Sequence, residues 1–446
     1  MKNLLNKADS ISRRNILKGI AATCFSMNII DTLNAEQKQA VLAGGGKAKS
    51  VIFINVRGGM SHVDSFDIKE TNKDAFKASA PIKTNADGIR IGKYFPKIAK
   101  HMDKFAVINS MSNNQGAHQE AQYLLLTGYE KRGTVIHPNF GAWVNKLSPT
   151  TSDIPNYIKT STKNLGAGFF PSRTAALPVA NPTQGLQYVQ RYNEITSESF
   201  DSRYSLMQKI NKEFAGRYST RTSNAYDEVY ADAVKLMNSK DLEVFDLKKE
   251  KQATLDAYAK VDYVNPKKDK KDKKEKKGGG NMSKIGSGLL LARRLVEKGV
   301  RYIEVDHDGW DHHYGIYEDF PEEAPDLDQA VSALMADLSS RGLLESTLVV
   351  FATEFGRSPQ LNSRGGRNHH PGAYSCMLAG AGVKGGQKYG KTDDQGAKVI
   401  ENKVKVRDFN ATIAYAMGLP LKHTVMNKEG RPFTIADKGK PITAIF

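Results

Sequence analysis

Short apolar runs alternate along the chain with longer segments in which apolar residues recur near every third or fourth position. The runs are rich in β-branched and aromatic residues, a composition typical of buried strands. They cover residues 51–56, 105–108, 300–305, 347–352 and 374–379. Helical spacing covers residues 119–126, 283–298 and 326–341. Strands that alternate with helices predict an α/β fold with a doubly wound, mainly parallel sheet flanked by helices.

Polar, glycine-bearing segments follow the predicted strands. The first strand is followed by "RGGMSHVDSFD", the third leads into "DHDGWDHH", and the fourth leads into "TEFGR". A further segment, "RGGRNHHPG", lies between the fourth and fifth strands. In open α/β sheets, ligands bind at the edge where the carboxyl ends of parallel strands meet. The sequence therefore predicts one site at that edge.

The segment "EVDHDGWDHH", residues 304–313, is dense in histidine and aspartate in a chain that has 10 histidines in all. Asp308 and His312 are spaced so that a helical turn would place a carboxylate and an imidazole on one face, suited to a shared divalent cation. A loop held by hydrogen bonds is the other interpretation. The neighbouring residues are alternative ligands or partners of the ligands: Asp306, His307, Asp311 and His313.

Two further segments supply candidate metal ligands. His369 and His370 lie in a glycine-rich loop whose backbone can approach a ligand closely. Because adjacent histidines of an extended chain rarely reach one ion together, we expect one ligand and one other contact. Glu354 ends a strand, where a carboxylate is costly to bury unless it is paired or bound to a metal. A salt bridge between Glu354 and Arg357 is the alternative.

Candidate catalytic groups follow the first strand and open a helix. Ser61 is a candidate nucleophile beyond Gly58 and Gly59, whose backbone can pass close to an oxyanion, and Asp64 is a candidate metal ligand. A plain turn is the other interpretation of this segment. His118 opens the helix "HQEAQYLLLTG", where the positive end of the helix dipole favours anions. A helix cap is the alternative for His118.

The first 35 residues (1–35) are typical of an export signal. Arg13 and Arg14 stand in "SRRNILK", which resembles the twin-arginine motif, and a short apolar stretch follows. An exposed basic N-terminal helix is the alternative. The stretch is shorter than a membrane span of roughly 20 residues, so we expect no transmembrane segment in the mature protein. We expect a periplasmic or secreted location, reached through the twin-arginine export machinery.

The formal net charge of +17 is partly local. Residues 267–277 read "KKDKKDKKEKK" without an interleaved aromatic residue, so residues 266–281 are predicted to form a flexible insertion and no nucleic-acid role is expected. The remaining basic residues favour an anionic substrate. Residues 150–265 carry few strand signals and are predicted to form a helical cap or insertion. We expect a single α/β domain over residues 36–446.

The twin-arginine signal, "GGMSHVDSFD", "HQEAQYLLLTG", "DGWDHH" and the stretch from "TEFGR" to "HHPG" together closely resemble the secreted domain-of-unknown-function family 1501. The resemblance covers the mature chain apart from the lysine-rich insertion. This family is similar to a branch of the alkaline phosphatase and sulfatase superfamily. The resemblance implies an alkaline phosphatase-like domain with divalent-metal sites at the carboxyl ends of its strands.

The superfamily's metal ligands include an Asp-x-x-x-His pair, an aspartate after the first strand and a last histidine. The resemblance assigns the pair to Asp308 and His312. Asp64 is the nearest substitute for the aspartate after the first strand, and His369 or His370 is similar to the last histidine.

Three segments depart from the superfamily pattern. The first strand ends in Arg57 and Gly58 instead of the usual aspartate. The "TEFG" segment is similar to "SDHG", with Glu354 in place of the aspartate and Phe355 in place of the histidine. Sulfatases place their nucleophile nine residues before the threonine of an "LLTG" helix, and counting back from Thr127 gives His118.

These features predict an exported metal-dependent hydrolase of phosphate or sulfate esters that acts on an anionic ester or on a sulfated or phosphorylated polymer. A zinc, manganese or calcium ion would polarise the ester oxygen. His118 or Ser61 would be the nucleophile, and Arg57 or Arg357 would contact the oxyanion. The alternative is a non-catalytic periplasmic or surface protein on the same fold that binds a glycan or a protein partner. The aspartate that is missing at Arg57 and the histidine that is missing at Phe355 favour that alternative.

Overall fold

A computed structural model describes residues 46–148, 152–163, 166–218, 221–261 and 282–446. The predicted signal peptide (1–35) and the predicted insertion (266–281) lie outside the described residues. The α-helices are α1 (Lys73–Ser79), α2 (His118–Thr127), α3 (Phe140–Leu147), α4 (Ser197–Tyr218), α5 (Arg221–Met237), α6 (Gln252–Ala257), α7 (Lys284–Glu297), α8 (Ile316–Ser340) and α9 (Val406–Ala416). The strands are β1 (Ser50–Val56), β2 (Pro81–Lys83), β3 (Arg90–Gly92), β4 (Phe105–Ser112), β5 (Tyr157–Lys159), β6 (Leu177–Pro178), β7 (Tyr302–His307), β8 (Thr347–Ala352), β9 (Gly356–Arg357), β10 (His369–His370), β11 (Tyr374–Ala379), β12 (Gln387–Tyr389), β13 (Lys391–Thr392), β14 (Val399–Glu401), β15 (Val404–Lys405), β16 (Thr424–Met426) and β17 (Pro432–Thr434).

Nine of these strands form one sheet in the order β12-β4-β11-β8-β1-β7-β5-β6, with β15 also paired to β4. The central strand β1 runs parallel to β7 and β8, whereas β11 runs antiparallel to β4 and β8. The sheet is mainly parallel and is flanked by helices. This arrangement confirms the predicted fold class.

Every apolar run recognised in the sequence is a strand of this sheet. The runs at 51–56, 347–352 and 374–379 correspond to β1, β8 and β11, in which all residues are buried. Strand β7 begins at Tyr302 rather than at 300, and β4 extends from 108 to Ser112. The polar end of β4 is a strand because it pairs with β15, a long-range contact that the local pattern does not reveal.

Apolar side chains cover both faces of the sheet. Along β1, Ile52, Ile54 and Val56 pack in one core with α7 and α8, while Val51 and Phe53 pack in the other core with α2, α3 and α9. The alternation follows the period of two residues in a strand. Burial on both faces explains why the strands are continuous apolar runs in the sequence.

The direction of β11 brings the loop before it to the edge of the sheet where the parallel strands end. Among the sheet strands that the structure describes, β11 alone runs against the others. Its amino end therefore lies at the edge where β1, β4, β7 and β8 have their carboxyl ends. The loop that carries His369 and His370 enters β11 from this edge.

Part of the segment at 150–265 extends the sheet. Strand β5 pairs in parallel with β7, and β6 pairs with β5 at the end of the sheet. Strands of three and two residues are too short to show an alternating pattern. Helices α4 and α5 follow them. The bounds of a cap within this segment stay a prediction.

Helix α8 is longer than the helical spacing predicts, because it begins at Ile316 rather than at 326. Pro321 and Pro325 lie inside it, and a proline favours a helix boundary. Phe320 and Ala324 are fully buried in the core on the same helix, and this packing offsets the hydrogen bonds that the prolines remove. No helix within the described ranges is both long enough and apolar enough to cross a membrane.

Candidate metal centre

Three side chains from separate elements converge at the carboxyl edge of the sheet. His118 is the first residue of α2, Asp311 lies in the loop after β7, and His369 lies in β10. One ligand atom from each residue lies within 4.8 Å of the other two. Imidazole nitrogens and carboxylate oxygens are ligands of zinc and related divalent ions. We call these three residues the His-Asp-His cluster.

The distances within the cluster fit a bound cation. Asp311 Oδ2 lies 3.2 Å from His118 Nε2, and Asp311 Oδ1 lies 3.3 Å from His369 Nε2. A fourth side chain, His313, places its Nε2 only 2.8 Å from His369 Nε2. His118 Nε2 is buried and makes no hydrogen bond, despite its closeness to Asp311. A buried nitrogen without a hydrogen bond, beside facing imidazoles, matches the donor set of a divalent metal.

Asp311 is held in place by the buried Arg357. The guanidinium donates hydrogen bonds to Asp311 Oδ1, to the Gly58 carbonyl, to the Gly59 carbonyl at 2.8 Å and to the Arg367 carbonyl at 3.0 Å. Burial acts to raise the pKa of Asp311, but Arg357 outweighs it and the pKa is lowered to about 2. The carboxylate is therefore charged at neutral pH, as a metal ligand must be.

The buried Glu354 orients His118. Its Oε1 accepts hydrogen bonds from His118 Nδ1 at 2.8 Å and from the Gly58 N–H at 2.9 Å, and its Oε2 accepts one from Gln122 at 2.9 Å. The hydrogen bond to Glu354 raises the pKa of His118, although burial opposes it. Burial acts to raise the pKa of Glu354, but His118 and Gly58 hold it below its ordinary value. Glu354 thus lies behind the cluster and orients a candidate ligand.

A buried polar chain continues from Glu354 into the sheet. Gln122 accepts a hydrogen bond from Asn55 Nδ2 at 3.1 Å, and the same nitrogen lies 3.0 Å from Asp306 Oδ1. Asp306 in turn pairs with Lys159 at 3.3 Å, and Lys159 pairs with Glu304 at 2.5 Å. These groups lie on β1, β5, β7 and α2, so they tie the site to the rigid centre of the sheet.

Phe355 packs against two members of the cluster. Its ring centroid lies 4.9 Å from that of His118 and 4.6 Å from that of His369. The side chain is fully buried. Phe355 therefore restricts the rings of two candidate ligands.

Gly58 allows the loop after β7 to reach the cluster. Its φ is +114°, and a Cβ at this position would lie 2.5 Å from the Asp311 backbone nitrogen. Only glycine permits this approach. The "GG" pair in the sequence therefore marks a close contact between the loop after β1 and the loop after β7.

The prediction that Asp308 and His312 share a helical turn is wrong, because residues 308–313 form no helix. Asp308 lies at the surface, 3.0 Å from Lys163 and 3.5 Å from Arg57. His312 is buried beside the rings of Trp310 and Phe320, and burial lowers its pKa to about 4. The two side chains point to different surroundings, and the cluster uses Asp311 of the same segment instead.

Asp64 forms a buried ion pair with Arg367 and accepts a hydrogen bond from Ser61, so neither Asp64 nor Ser61 joins the cluster. Ser61 Oγ donates to Asp64 Oδ2 at 2.5 Å, Ser79 donates to Oδ1 at 3.1 Å, and Arg367 Nε donates to Oδ2 at 2.7 Å. Asp64 and Arg367 are both buried. A carboxylate satisfied in this way needs no metal, and a buried hydroxyl bonded to it is poorly placed as a nucleophile.

The remaining predicted residues take separate places. Arg57 pairs with Asp306 at 3.3 Å and with Asp308. The alternative salt bridge between Glu354 and Arg357 is wrong, because Arg357 pairs with Asp311 while Glu354 pairs with His118. His369 belongs to the cluster, whereas His370 Nε2 lies 2.7 Å from the Ala397 carbonyl.

The chain belongs to the family described as "Protein of unknown function (DUF1501)", whose model matches residues 48–446. No curated protein matches the sequence.

Several solved structures are similar to the chain at low identity. A sulfatase from Pseudoalteromonas sp., PsFucS1, is 12% identical over 91% of this chain and 77% of its own, with a TM-score of 0.37. Ps i-CgsB in complex with k-i-k-neocarrahexaose is 11% identical over 83% of this chain and 72% of its own, with a TM-score of 0.39. Alkaline phosphatase from the Antarctic bacterium TAB5 is 12% identical over 78% of this chain and 95% of its own, with a TM-score of 0.28. Likenesses this weak assign no activity to the chain.

Proposed function

We propose that the protein is an exported, metal-dependent hydrolase of phosphate or sulfate esters. The observation that carries the proposal is the convergence of His118, Asp311 and His369 beside the buried guanidinium of Arg357. A group of side chains that can bind a cation, next to a fixed positive charge, would stabilise the negative charge that develops when a phosphate or sulfate ester is cleaved. The sequence resemblance to the phosphatase and sulfatase superfamily supports the same reaction class.

His118 is a candidate metal ligand that lies where the ester would bind. Its Nδ1 is held by Glu354, which directs Nε2 toward the cluster. As a ligand of the ion, Nε2 has no lone pair left to act as the predicted nucleophile. No side chain caps the N-terminus of α2, where the N-cap residue is Ala117. The free N–H groups of the first turn therefore favour an anionic group beside His118.

A divalent ion bound at the cluster would polarise the ester oxygen and offset its charge. His118, Asp311 and His369 would hold the ion, with His313 beside them. Calcium prefers oxygen ligands, whereas zinc and manganese accept imidazole nitrogens. The histidine-rich donor set therefore favours zinc or manganese over calcium.

The test is hydrolysis of 4-nitrophenyl phosphate and 4-nitrophenyl sulfate by chelator-treated protein resupplied with zinc, manganese or calcium. We expect turnover of one ester and, for His118→Gln, a loss of about 100-fold or more in kcat/KM. His423→Gln is the matched control, because His423 lies outside the site, and it should keep wild-type activity. If the wild type hydrolyses neither ester with any ion, the hydrolase proposal is wrong.

A non-catalytic binding protein is the second candidate function. It is favoured by the burial of Ser61 on Asp64 and by the place of His118 in the cluster, because neither predicted nucleophile is then free to attack an ester. This candidate predicts that the metal-loaded protein binds a sulfated or phosphorylated glycan but releases no product from either 4-nitrophenyl ester.

Export to the periplasm or beyond by the twin-arginine machinery is part of the proposal and is supported by "SRRNILK" alone. Replacing Arg13 and Arg14 together by lysine should leave the precursor in the cytoplasm. An unchanged distribution in cell fractions would contradict this route.

A further inference from the structure

A cavity of about 820 Å³ lies beside the candidate metal centre and takes no part in it. Its wall comes from the loop after β4, the segment after α2, the start of α9 and the segment around β17. Two acidic residues, Glu130 and Asp437, also line it. The basic residues of the wall are Arg132, Lys403, Lys405, Arg407, Arg431 and Lys438. Basic side chains thus outnumber acidic ones, which favours an anionic ligand.

Aromatic rings form one side of the cavity. The rings of Tyr129 and His137 stack at 4.3 Å with an interplanar angle of 3°, and Phe433 meets them edge-on at 5.7 Å and 5.2 Å. Tyr129 donates a hydrogen bond to the Thr434 carbonyl at 2.6 Å, which fixes its ring. Tyr129 and His137 are themselves buried and support the half-buried ring of Phe433, which offers a surface for the apolar face of a cyclic ligand.

The backbone of the wall is strained where it bends around the cavity. Ala436, Asp437 and Lys438 have φ values of 60°, 45° and 59°, in the left-handed region that side chains other than glycine rarely adopt. Strained backbone is concentrated at ligand sites. Here the bend places Asp437 4.0 Å from Arg407, so that the acid and the base face each other across the wall.

The cavity and the cluster share one loop. Asn113 and Asn114 line the cavity, and the same loop leads directly to His118. Consecutive Cα atoms are about 3.8 Å apart, so the Cα atoms of Asn114 and His118 are within about 15 Å of each other. A ligand that contacts both places needs to span no more than about this distance.

We propose that this cavity binds a sugar unit that carries a sulfate or phosphate group, as part of a polyanionic carbohydrate. The basic residues would contact the anionic groups, the ring of Phe433 would contact the sugar ring, and Asn114 and Thr134 would bond its hydroxyls. Binding in the cavity does not depend on the hydrolase activity. Only the further step rests on the proposed function, namely that the next sugar unit of the polymer reaches the cluster and carries the ester that is cleaved there. Two linked contacts on one chain raise its overall affinity.

The test measures binding of dextran sulfate to the full chain by titration calorimetry at two salt concentrations, with chelator present so that metal and turnover play no part. The cavity variant carries Arg132→Gln, Lys403→Gln and Arg431→Gln. The matched control carries Lys77→Gln, Lys83→Gln and Lys100→Gln, which removes the same charge from exposed positions outside the cavity. We expect the cavity variant to bind at least about tenfold more weakly and with a shallower salt dependence, and the control to match the wild type.

A second variant tests the aromatic wall. Phe433→Leu keeps an apolar side chain but removes the ring, and it should weaken dextran sulfate binding several-fold while the salt dependence stays unchanged. An equal loss in the cavity variant and the control would overturn the proposal, because it would show attraction by net charge alone. Binding of single-stranded DNA as tight as that of dextran sulfate would also overturn it. This binding assay needs neither metal nor hydrolysis. Failure of the hydrolase assay would therefore not change its interpretation.

Discussion

At the residue scale, the orientation of His118 is set by a carboxylate that lies behind the cluster. Glu354 can only accept a hydrogen bond from His118 Nδ1, so this nitrogen carries the hydrogen and Nε2 is left as the ligand atom. A carboxylate behind a ligating histidine fixes its tautomer and increases its basicity. Removing the charge of Glu354 should therefore weaken metal binding without removing a ligand.

Glu354→Gln should lower zinc affinity about tenfold or more. The neutral amide would orient His118 less firmly, and it would no longer place a negative charge beside the Nδ1–H group. Competition with a chromogenic chelator at pH 7.5 measures this affinity. Glu120→Gln is the matched control, since it makes the same chemical change at a residue whose carboxylate faces Lys131 at the protein surface. Equal zinc affinity in Glu354→Gln and the wild type would show that Glu354 plays no part in the site.

Buried neutral histidines should make the protein less stable in mild acid. Burial lowers the pKa of His62 and of His137 from 6.5 to about 4. Between these values the unfolded chain binds protons that the folded chain does not, so the stabilisation is fully present above pH 6.5 and is lost as the pH falls toward 4. At pH 5 each histidine should cost about 2 kcal/mol of unfolding free energy.

Urea denaturation of the wild type and of His62→Gln at pH 7.5 and pH 5 checks this. Glutamine keeps a donor for the Gly396 carbonyl, which lies 2.7 Å from His62 Nε2. The loss of stability between the two pH values should be about 2 kcal/mol smaller in the variant. The same loss in both proteins would mean that His62 does not titrate as expected.

At the element scale, the cluster depends on contact between two loops that are distant in sequence. The loop after β7 carries Asp311, and the loop before β11 carries His369. Asn362 Nδ2 donates to the His313 carbonyl at 3.0 Å, and the Arg367 N–H donates to the His312 carbonyl at 2.9 Å. These bonds set the relative position of the two ligands more directly than the sheet does.

Gly366→Ala should separate these loops. A Cβ on Gly366 would lie 2.1 Å from the His313 carbonyl carbon, a backbone atom that cannot turn aside. We expect a loss of about 2 kcal/mol in unfolding free energy together with weaker zinc binding. Gly133→Ala is the control, since a Cβ there meets nothing within 4 Å. Zinc affinity that stays unchanged in a destabilised Gly366→Ala would place the cluster outside the influence of this contact.

At the scale of the whole molecule, the sequence predicts the sheet better than the site. Strands β1, β8 and β11 are found where expected, because burial on both faces makes each a continuous apolar run. Strands β5 and β6 are missed because they are short and are held by pairing with β7. The start of α8 is missed because its prolines favour a boundary that core packing overrides.

The sequence predicts the edge of the sheet at which candidate ligands converge, but only partly which side chains they are. The density of histidine and aspartate after the strands correctly marks the edge of the sheet. The spacing of Asp308 and His312 misleads, since it has meaning only on a helix and this segment is a loop. The pairing of Asp64 with Arg367 spans 303 residues and leaves no local signal. Burial of that pair is what removes Asp64 from the cluster.

The central claim is that the His-Asp-His cluster holds one divalent ion. Elemental analysis tests it most directly on protein stripped with chelator, incubated with zinc, manganese or calcium, and desalted. The wild type and Asp308→Asn should each retain about one equivalent of zinc or manganese. The double variant His118→Ala with His369→Ala should retain none while it unfolds with a single transition like the wild type. A full equivalent in the double variant, or none in the wild type, would contradict the account.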